Sequence, residues 1–281
     1  MMPMEITQVL SGAGPQFVNV HDIQAASDYA QAHEIFQKVT RLGGLGDVGA
    51  TDREADPFEP ELVDLVRLHS LIISRRVTNV LEFGVGWSSL IMADALRLNE
   101  SKHAATVSSR LRRTEPFRLY SVDDSASWIK TAASRLESRL RSRVHFIHSS
   151  VQMATFNDRI CTRYNHLPDT CPDLIYLDGP SQSSAQGEVN GISTRHADRL
   201  PMSCDIAMME HFLLPGTLIV VDGRTANVRF LLANLQRRWW HYHDRETDAH
   251  YLELREDPLG HYNDAQIRYC LGEAWLDRLA D

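Results

Sequence analysis

The sequence predicts an α/β fold, in which a doubly wound, mostly parallel sheet of seven strands ends in a C-terminal antiparallel β-hairpin and follows an N-terminal helical cap. Short runs rich in β-branched and aromatic residues alternate with amphipathic helical segments, which is typical of a parallel sheet with helices on both faces. Near the C-terminus two strand-like runs are separated only by RETDA, and this link is too short for a parallel crossover. Five parallel strands and the hairpin make up the seven.

The first 59 residues are interpreted as the helical cap and a linker, and residues 60–281 as the main domain. Residues 1–18 are expected to be loose, and a helix is predicted from Asp22 to Leu42. The stretch GGLGDVGATDREADPFEP reads as a linker or flap. The following PELVDLVRLHSLIISRR begins with proline and carries apolar residues at helical spacing, so it predicts a second helix.

The strands of the main domain are short and bounded by glycine, proline or polar residues. In chain order they are VTNVLEF, FRLYSVD, RVHFIHS, PDLIYLD and GTLIVVD, followed by RRWWHYHD and HYLELRE as the hairpin. A helix is predicted from Trp87 to Leu98, and the basic insert SKHAATVSSRLRRTEPFR is predicted to be a flexible loop. Further helices are predicted through SASWIKTAASRLESRL and through the C-terminal YNDAQIRYCLGEAWLDRLAD.

Composition and charge exclude several classes of protein. The 281 residues are 43% hydrophobic and 23% charged, which is ordinary for a globular chain. The net charge of −8 provides no basic field for nucleic acid or for an anionic membrane. The four cysteines form no Cys-x-x-Cys pair, and the N-terminus lacks a secretory pattern. We therefore expect a cytoplasmic protein without nucleic-acid or membrane partners, in which the N-terminal helices cap the active site or form a homodimer interface.

The stretch NVLEFGVGWSSL indicates a ligand-binding turn after the first strand. Glu82 ends an apolar run, and Gly84 and Gly86 follow it, so the backbone can turn sharply there. A tight turn without a ligand is the alternative interpretation. A dinucleotide fingerprint requires glycine or alanine where this chain has Ser89, and a pyrophosphate would be repelled by Glu82.

Two strand-end acids specify the ligand more closely. Glu82 would attract an ammonium group, directly or through water. Asp123 ends the second strand and can accept both hydroxyls of a ribose. S-adenosylmethionine carries an ammonium group at one end and a ribose further along, so it satisfies both requirements.

These residues carry a resemblance to a known family. VLEFGVGWSSL resembles the first motif of class I S-adenosylmethionine-dependent methyltransferases, and LYSVDDSASWI resembles their second motif, whose acid binds ribose. The resemblance spans residues 60–256 and implies a Rossmann-like methyltransferase fold with S-adenosylmethionine as the cofactor. Many members carry an acid near the adenine after the third strand, where this chain has HSSV. The implied cofactor-binding residues are Glu82, Gly84, Gly86, Ser88, Asp123, Asp124 and Ser150.

The fourth and fifth strands supply candidate catalytic groups. Asp178 and Asp222 end these strands, and each is followed by glycine, so turn capping is the alternative role. The long loop GPSQSSAQGEVNGISTRHADRLPMSCD is predicted to act as a lid over the acceptor. Within it His196 is a second candidate general base. Arg195 and Arg224 are candidate substrate-binding residues for an anionic acceptor, or ion-pair partners of neighbouring acids.

No metal site is assigned from the sequence. Catechol-type O-methyltransferases bind a divalent cation through acids at the ends of these same strands, the second of them followed by asparagine. Here Gly223 and Arg224 follow Asp222, and the arginine would repel a cation. In the predicted hairpin His241, His243 and His250 alternate, and solvated strand histidines are the simpler interpretation.

The sequence thus favours an S-adenosylmethionine-dependent methyltransferase that acts on a hydroxyl oxygen of a small-molecule acceptor. An aminopropyl transferase on the same sheet is an alternative, although it requires an acid-rich polyamine site, and the sequence shows no such cluster. A non-catalytic subunit that keeps the fold is a third interpretation. It would bind the cofactor without turnover, or not at all.

Overall fold

The computed structural model describes residues 4–42 and 60–279. Its β-strands are of two kinds: seven form the central sheet, and β4 and β5 form a separate antiparallel pair. The strands are β1 (Asn79–Phe83), β2 (Arg118–Asp123), β3 (Val144–His148), β4 (Val151–Phe156), β5 (Arg159–Tyr164), β6 (Leu174–Leu177), β7 (Leu218–Asp222), β8 (Trp239–Asp244) and β9 (Ala249–Leu254).

The central sheet has the order β3-β2-β1-β6-β7-β9-β8. The first five strands of this order are parallel, β9 is antiparallel to β7, and β8 is antiparallel to β9. This confirms the predicted α/β class, the seven strands and the terminal hairpin. The strand order reverses between β1 and β6, and open parallel sheets bind ligands at the carboxyl ends of the strands beside such a reversal.

Helices cover both faces of the sheet, and apolar side chains of the strands pack under them in two main clusters. Among the residues described, no helix is both long enough and apolar enough to cross a membrane. The helices are α1 (Met4–Leu10), α2 (Ile23–Ala32), α3 (Ile35–Arg41), α4 (Leu62–Ser74), α5 (Trp87–Arg110), α6 (Ala126–Arg135), α7 (Ser138–Arg141), α8 (Asp205–Met209), α9 (Thr225–Leu232), α10 (Gly260–Cys270) and α11 (Glu273–Asp277).

The N-terminal segment is more ordered than the sequence suggested. Residues 1–18 were expected to be loose, but α1 forms there, and Leu10 and Phe17 are buried in the core. The predicted helix over residues 22–42 is split into α2 and α3, because Glu34 adopts a left-handed conformation with φ of 53°. The predicted linker at residues 43–59 lies outside the described residues.

Helix α5 is longer than predicted. A flexible loop was expected after Leu98, but α5 continues to Arg110. Its last turns contain no glycine or proline, and Val107 is buried in an apolar cluster that includes Phe117 and Trp275. This tertiary packing overrides the polar, basic character of the segment.

The β4–β5 hairpin was not predicted, and it changes the interpretation of the long loop after β6. The turn residues Asn157 and Asp158 both have positive φ, 49° and 58°, as expected of a two-residue hairpin turn. The backbone of Gln186 pairs with β4, and that of Met202 with β5. The loop is therefore fastened to this hairpin.

Candidate functional site

A cleft of about 370 Å³ opens where the strand order reverses, beside the carboxyl ends of β1, β6 and β7. The turn after β1 forms one wall, and the first turns of α4 form the opposite one. Trp128, near the start of α6, completes the lining. The polar and aromatic side chains that line the cleft are Glu61, Asp64, Trp87, Ser88, Trp128, Tyr176, Asp178 and Asp222.

The two glycines of the first turn serve different purposes. Gly84 has a φ of +91°, and a Cβ atom there would lie 2.7 Å from the backbone nitrogen of Gly179. Gly84 is therefore required by a close approach within the protein itself, between the loops after β1 and β6. Gly86 lines the cleft, and a Cβ atom there would meet nothing nearer than the Ser88 hydroxyl at 3.7 Å. Its bare backbone faces open space.

Glu82 lies beneath the turn and does not face the cleft as expected from the sequence. Its side chain is fully buried, and its carboxylate accepts hydrogen bonds from the hydroxyls of Ser88 (2.5 Å), Ser89 (2.6 Å) and Ser121 (2.5 Å). Burial raises the pKa of Glu82 to about 7, although the three hydroxyls act in the opposite direction. The acid therefore organises the turn and the start of α5 from inside.

The two acids after β2 have different surroundings. Asp123 is buried, and its carboxylate accepts hydrogen bonds from the backbone nitrogens of Val85 (2.8 Å) and Ser125 (2.7 Å). Burial raises the pKa of Asp123, while these two bonds lower it. Asp124 is half-buried, and its carboxylate makes no hydrogen bond or ion pair with any residue that the structure describes. Asp124 is thus the acid available to a ligand.

Four carboxylates gather on the side of the cleft formed by α4, β6 and β7. They belong to Glu61, which directly precedes α4, to Asp64 in the first turn of α4, and to the strand-end acids Asp178 and Asp222. Arg67 lies fully buried behind them, 2.7 Å from Asp64 and 3.9 Å from Asp222. Sequence reasoning missed this cluster, because the acids of PELVD were taken only as the start of a helix.

Burial and the closeness of these carboxylates to one another raise the pKa values of Asp64 and Asp178. Burial raises the pKa of Asp64 to about 7; Arg67 opposes this rise, and the Asp222 and Glu61 carboxylates add to it. Partial desolvation and the neighbouring carboxylates also raise the pKa of Asp178, against the effect of Arg224. More than half of the Asp178 side chain, 54%, is exposed, so solvent limits its rise. Tyr176 donates a hydrogen bond of 3.0 Å to Asp222.

Arg224 fixes a segment of backbone beside the cleft. Its guanidinium donates to the backbone carbonyls of Asp178 (2.6 Å) and Pro180 (2.8 Å), and only 12% of its side chain is exposed. Its predicted contact with an anionic acceptor stays a prediction. Arg224 fixes the loop after β6 and lies 3.9 Å from the Asp178 carboxylate.

The long loop does not deliver its predicted groups to the cleft. His196 is 58% exposed and lies near Asp198, while Arg195 contacts Ser193 and the Gly187 carbonyl. None of these side chains lines the cleft, because the loop is paired with the β4–β5 hairpin. The loop therefore does not line the cleft, whereas the first turns of α4 do.

Ser150 also lies away from the cleft lining. Its hydroxyl accepts a hydrogen bond of 2.6 Å from Asn165, and its carbonyl accepts a hydrogen bond from the Asn165 backbone nitrogen. These bonds join the strand exit after β3 to the segment that follows β5. Contact between Ser150 and an adenine stays a prediction.

No family model and no curated protein matches the chain. Among solved structures, the O-methyltransferase TomG from Streptomyces achromogenes, in complex with SAM, is 18% identical with a TM-score of 0.37, over 82% of this chain and 88% of that chain. The SAH-bound methyltransferase PaMTH1 from Podospora anserina is 11% identical with a TM-score of 0.44, over 79% and 96%. An O-methyltransferase from Bacillus cereus, in complex with SAH, is 12% identical with a TM-score of 0.37, over 82% and 89%. Similarities at this level add no argument to those from the fold and the cleft.

Proposed function

We propose that the chain is an S-adenosylmethionine-dependent methyltransferase that acts on a hydroxyl oxygen of a small-molecule acceptor. One observation carries the proposal: the cleft at the strand-order reversal has bare backbone at Gly86 on one side and strand-end carboxylates on the other. The seven-stranded sheet with its terminal hairpin is the one that the resemblance of the sequence motifs implies.

The residues of the cleft fit this cofactor chemically. Gly86 and Ser88 would line the amino-acid end. Asp124 directly follows β2 and does not itself line the cleft; its carboxylate would accept ribose hydroxyls of a ligand that extends beyond the cleft. Trp128 lines the same cleft, and its aromatic face would attract a cation such as a sulfonium group. One face of the Trp87 ring is already covered by the Arg135 guanidinium, 3.8 Å from the ring centroid. When bound, S-adenosylmethionine would supply an electrophilic methyl group.

Asp178 is the proposed general base for the acceptor hydroxyl. It lines the cleft and is exposed to solvent, and its pKa is raised towards neutrality, which suits proton removal near pH 7. Asp222, held by Tyr176, would orient the acceptor. The positioning of acceptor and base in a confined cleft would then provide much of the rate.

Calorimetric titration with S-adenosylhomocysteine tests the cofactor site. The parent chain is expected to bind, and Asp124→Asn to bind at least about tenfold more weakly because a hydrogen bond to a charged group is lost. Asp198→Asn, at a 91% exposed acid outside the cleft, is the control and is expected to bind like the parent. No binding by the parent, or equal affinity in Asp124→Asn, would refute the assignment.

The four carboxylates favour a second candidate, an aminopropyl-type transferase. Such an enzyme needs an acid-rich site for a polyamine, and the structure assembles one from Glu61, Asp64, Asp178 and Asp222, which are distant in the sequence. Mass spectrometry of products formed with S-adenosylmethionine and with its decarboxylated form separates the two functions. Methylated product supports the first, and aminopropylated product supports the second. Cofactor binding without either product would identify a non-catalytic member of the fold.

A further inference from the structure

A compact group of histidine and aspartate side chains lies on the C-terminal hairpin, apart from the cleft lining. His243 of β8 lies directly opposite His250 of β9, and their rings stack with centroids 3.7 Å apart. Asp248 belongs to the connecting turn, and its Oδ1 atom lies 3.0 Å from Nε2 of His243. Two imidazoles and one carboxylate are thus held together by the strand register.

The donor atoms of these residues lie close together, and a rotation of one of the two nearly parallel imidazole rings, which stand 12° apart, would direct both lone pairs at one ion. One potential ligand atom from each of His243, Asp248 and His250 lies within 4.8 Å of the other two. The hydroxyl of Thr225, at the start of α9, lies 2.9 Å from Nε2 of His250 and 3.2 Å from Oδ1 of Asp248. This places Nε2 of His250 on the same side as the other two ligand atoms.

His241 provides the partner that a metal-bound imidazole requires. Its Nε2 lies 3.0 Å from Nδ1 of His250. In one tautomer, His250 donates from Nε2 to Thr225 and accepts from His241, which completes a hydrogen-bonded chain. In the other, His250 donates from Nδ1 to His241, and its Nε2 lone pair is free. Metal-binding histidines commonly donate their second nitrogen in this way.

We propose that His243, Asp248 and His250 bind a divalent transition-metal ion of the zinc type. Two imidazole nitrogens and a carboxylate oxygen suit Zn²⁺ and its neighbours better than Mg²⁺ or Ca²⁺, which prefer oxygen ligands. Ligands at usual bond lengths around a tetrahedral zinc ion lie about 3.4 Å apart. The His243–Asp248 pair is already near this spacing, and the fourth position is open to Thr225 or water.

The backbone that carries the group is fixed, and the group is accessible to solvent. The backbone carbonyl of Asp248 accepts a hydrogen bond of 3.0 Å from Gly223, which ties the turn to the end of β7. His250 is buried, whereas 55% of the Asp248 side chain is exposed, so an ion can enter from solvent. Binding would cross-link β8, the turn and β9, and would thereby stabilise the terminal hairpin.

Calorimetric titration of the full chain with ZnCl₂, and with CoCl₂ followed by visible absorption, tests the proposal. One equivalent is expected to bind to the parent, with the d–d bands of a tetrahedral or five-coordinate cobalt site and a rise in melting temperature. His243→Gln keeps a hydrogen-bond donor near Asp248 and is expected to weaken metal binding by more than about 100-fold. That loss exceeds the one expected when a residue that only hydrogen-bonds to a metal ligand is replaced. Thr225→Val is expected to weaken it about tenfold.

Two controls make the result decisive. His145→Ala removes an exposed histidine that stacks on Tyr120 of β2, at the opposite end of the sheet, and is expected to bind zinc like the parent. Asp178→Asn removes an acid of the cleft and is also expected to leave the zinc titration unchanged. The proposal is overturned if the parent binds no metal, if His243→Gln binds it equally well, or if only Asp178→Asn abolishes binding.

Discussion

The carboxyl ends of β1 and β2 and those of β6 and β7 all carry acids, but the acids are held in opposite ways. At β1 and β2, Glu82 and Asp123 are buried and accept hydrogen bonds from three hydroxyls and two backbone nitrogens. At β6 and β7, Asp178 and Asp222 line an open cleft together with acids of α4. Glu82 and Asp123 fix the backbone turns that follow their strands, whereas the carboxylates of Asp178 and Asp222 face a cleft that a ligand can enter.

This difference teaches that a strand-end acid in this fold can stabilise the structure or serve the ligand site. The buried acids should matter greatly for stability, because their removal leaves buried donors without partners. The acids of the cleft should matter little for stability and greatly for turnover. Each experiment below strengthens or breaks this distinction, in order of decreasing effect on stability.

Glu82→Ala is expected to have the largest effect. Three buried serine hydroxyls would lose their acceptor, so the free energy of unfolding should fall by about 3 to 5 kcal/mol. Urea denaturation monitored by circular dichroism measures this change. Glu188→Ala, at an exposed acid of the long loop, serves as the control and should change the value by less than about 0.5 kcal/mol. Similar stability of the two variants would break the distinction.

The pH dependence of stability should follow Glu82. Its pKa is raised from the ordinary 4.5 to about 7 in the folded chain, so over this range the folded state keeps a proton that the unfolded state has lost. The free energy of unfolding should therefore fall as pH rises, by up to about 3 kcal/mol from this group. Asp64, whose pKa is also raised to about 7, acts in the same direction. Denaturation curves between about pH 4.5 and 7.5 measure the slope, and Glu82→Gln should flatten it.

The two glycines of the first turn provide a matched pair. Gly84→Ala should lower the free energy of unfolding by about 2 kcal/mol or more, because φ is positive and the new Cβ would collide with Gly179. Gly86→Ala should cost less, about 1 kcal/mol, because a Cβ there meets only ordinary contacts and the cost comes from alanine at the N-cap of α5. Thermal denaturation compares them. If Gly86→Ala binds S-adenosylhomocysteine as tightly as the parent, the bare backbone at Gly86 does not contribute to the proposed site.

Asp178→Asn should have the smallest effect on stability, within about 0.5 kcal/mol, because its side chain is largely exposed. As the proposed general base, it should nevertheless lower kcat by about 100-fold or more. Steady-state kinetics on a panel of hydroxylated and amine-bearing small molecules measures this. Unchanged kcat on an accepted substrate would assign Asp178 to the loop structure and not to catalysis.

The sequence predicted the sheet well because its signals are local. Each parallel strand is a short apolar run, and the link RETDA fixes the terminal hairpin. The β4–β5 hairpin was missed although Asn157 and Asp158, between alternating residues, are a recognisable turn signal. The length of α5 was missed because the burial of Val107 depends on distant residues.

The candidate site was only partly predictable for the same reason. Motif spacing placed Gly86 and Asp178 on the cleft, and the structure agrees. Motif spacing could not show that three serine hydroxyls surround the Glu82 carboxylate, because Ser121 belongs to another strand. Nor could it bring Asp64 of α4 to the cleft, because nothing local in the helix sequence indicates its tertiary position.

The pairing of residues 181–204 with the β4–β5 hairpin has a consequence for protein engineering. The hairpin and the loop are joined to each other by backbone hydrogen bonds at Gln186 and Met202. Neither segment lines the cleft. The two segments would therefore have to be transplanted together as one cassette between homologous scaffolds. Exchanging the loop alone would leave an edge of β4 or β5 unpaired and inclined to associate with other chains.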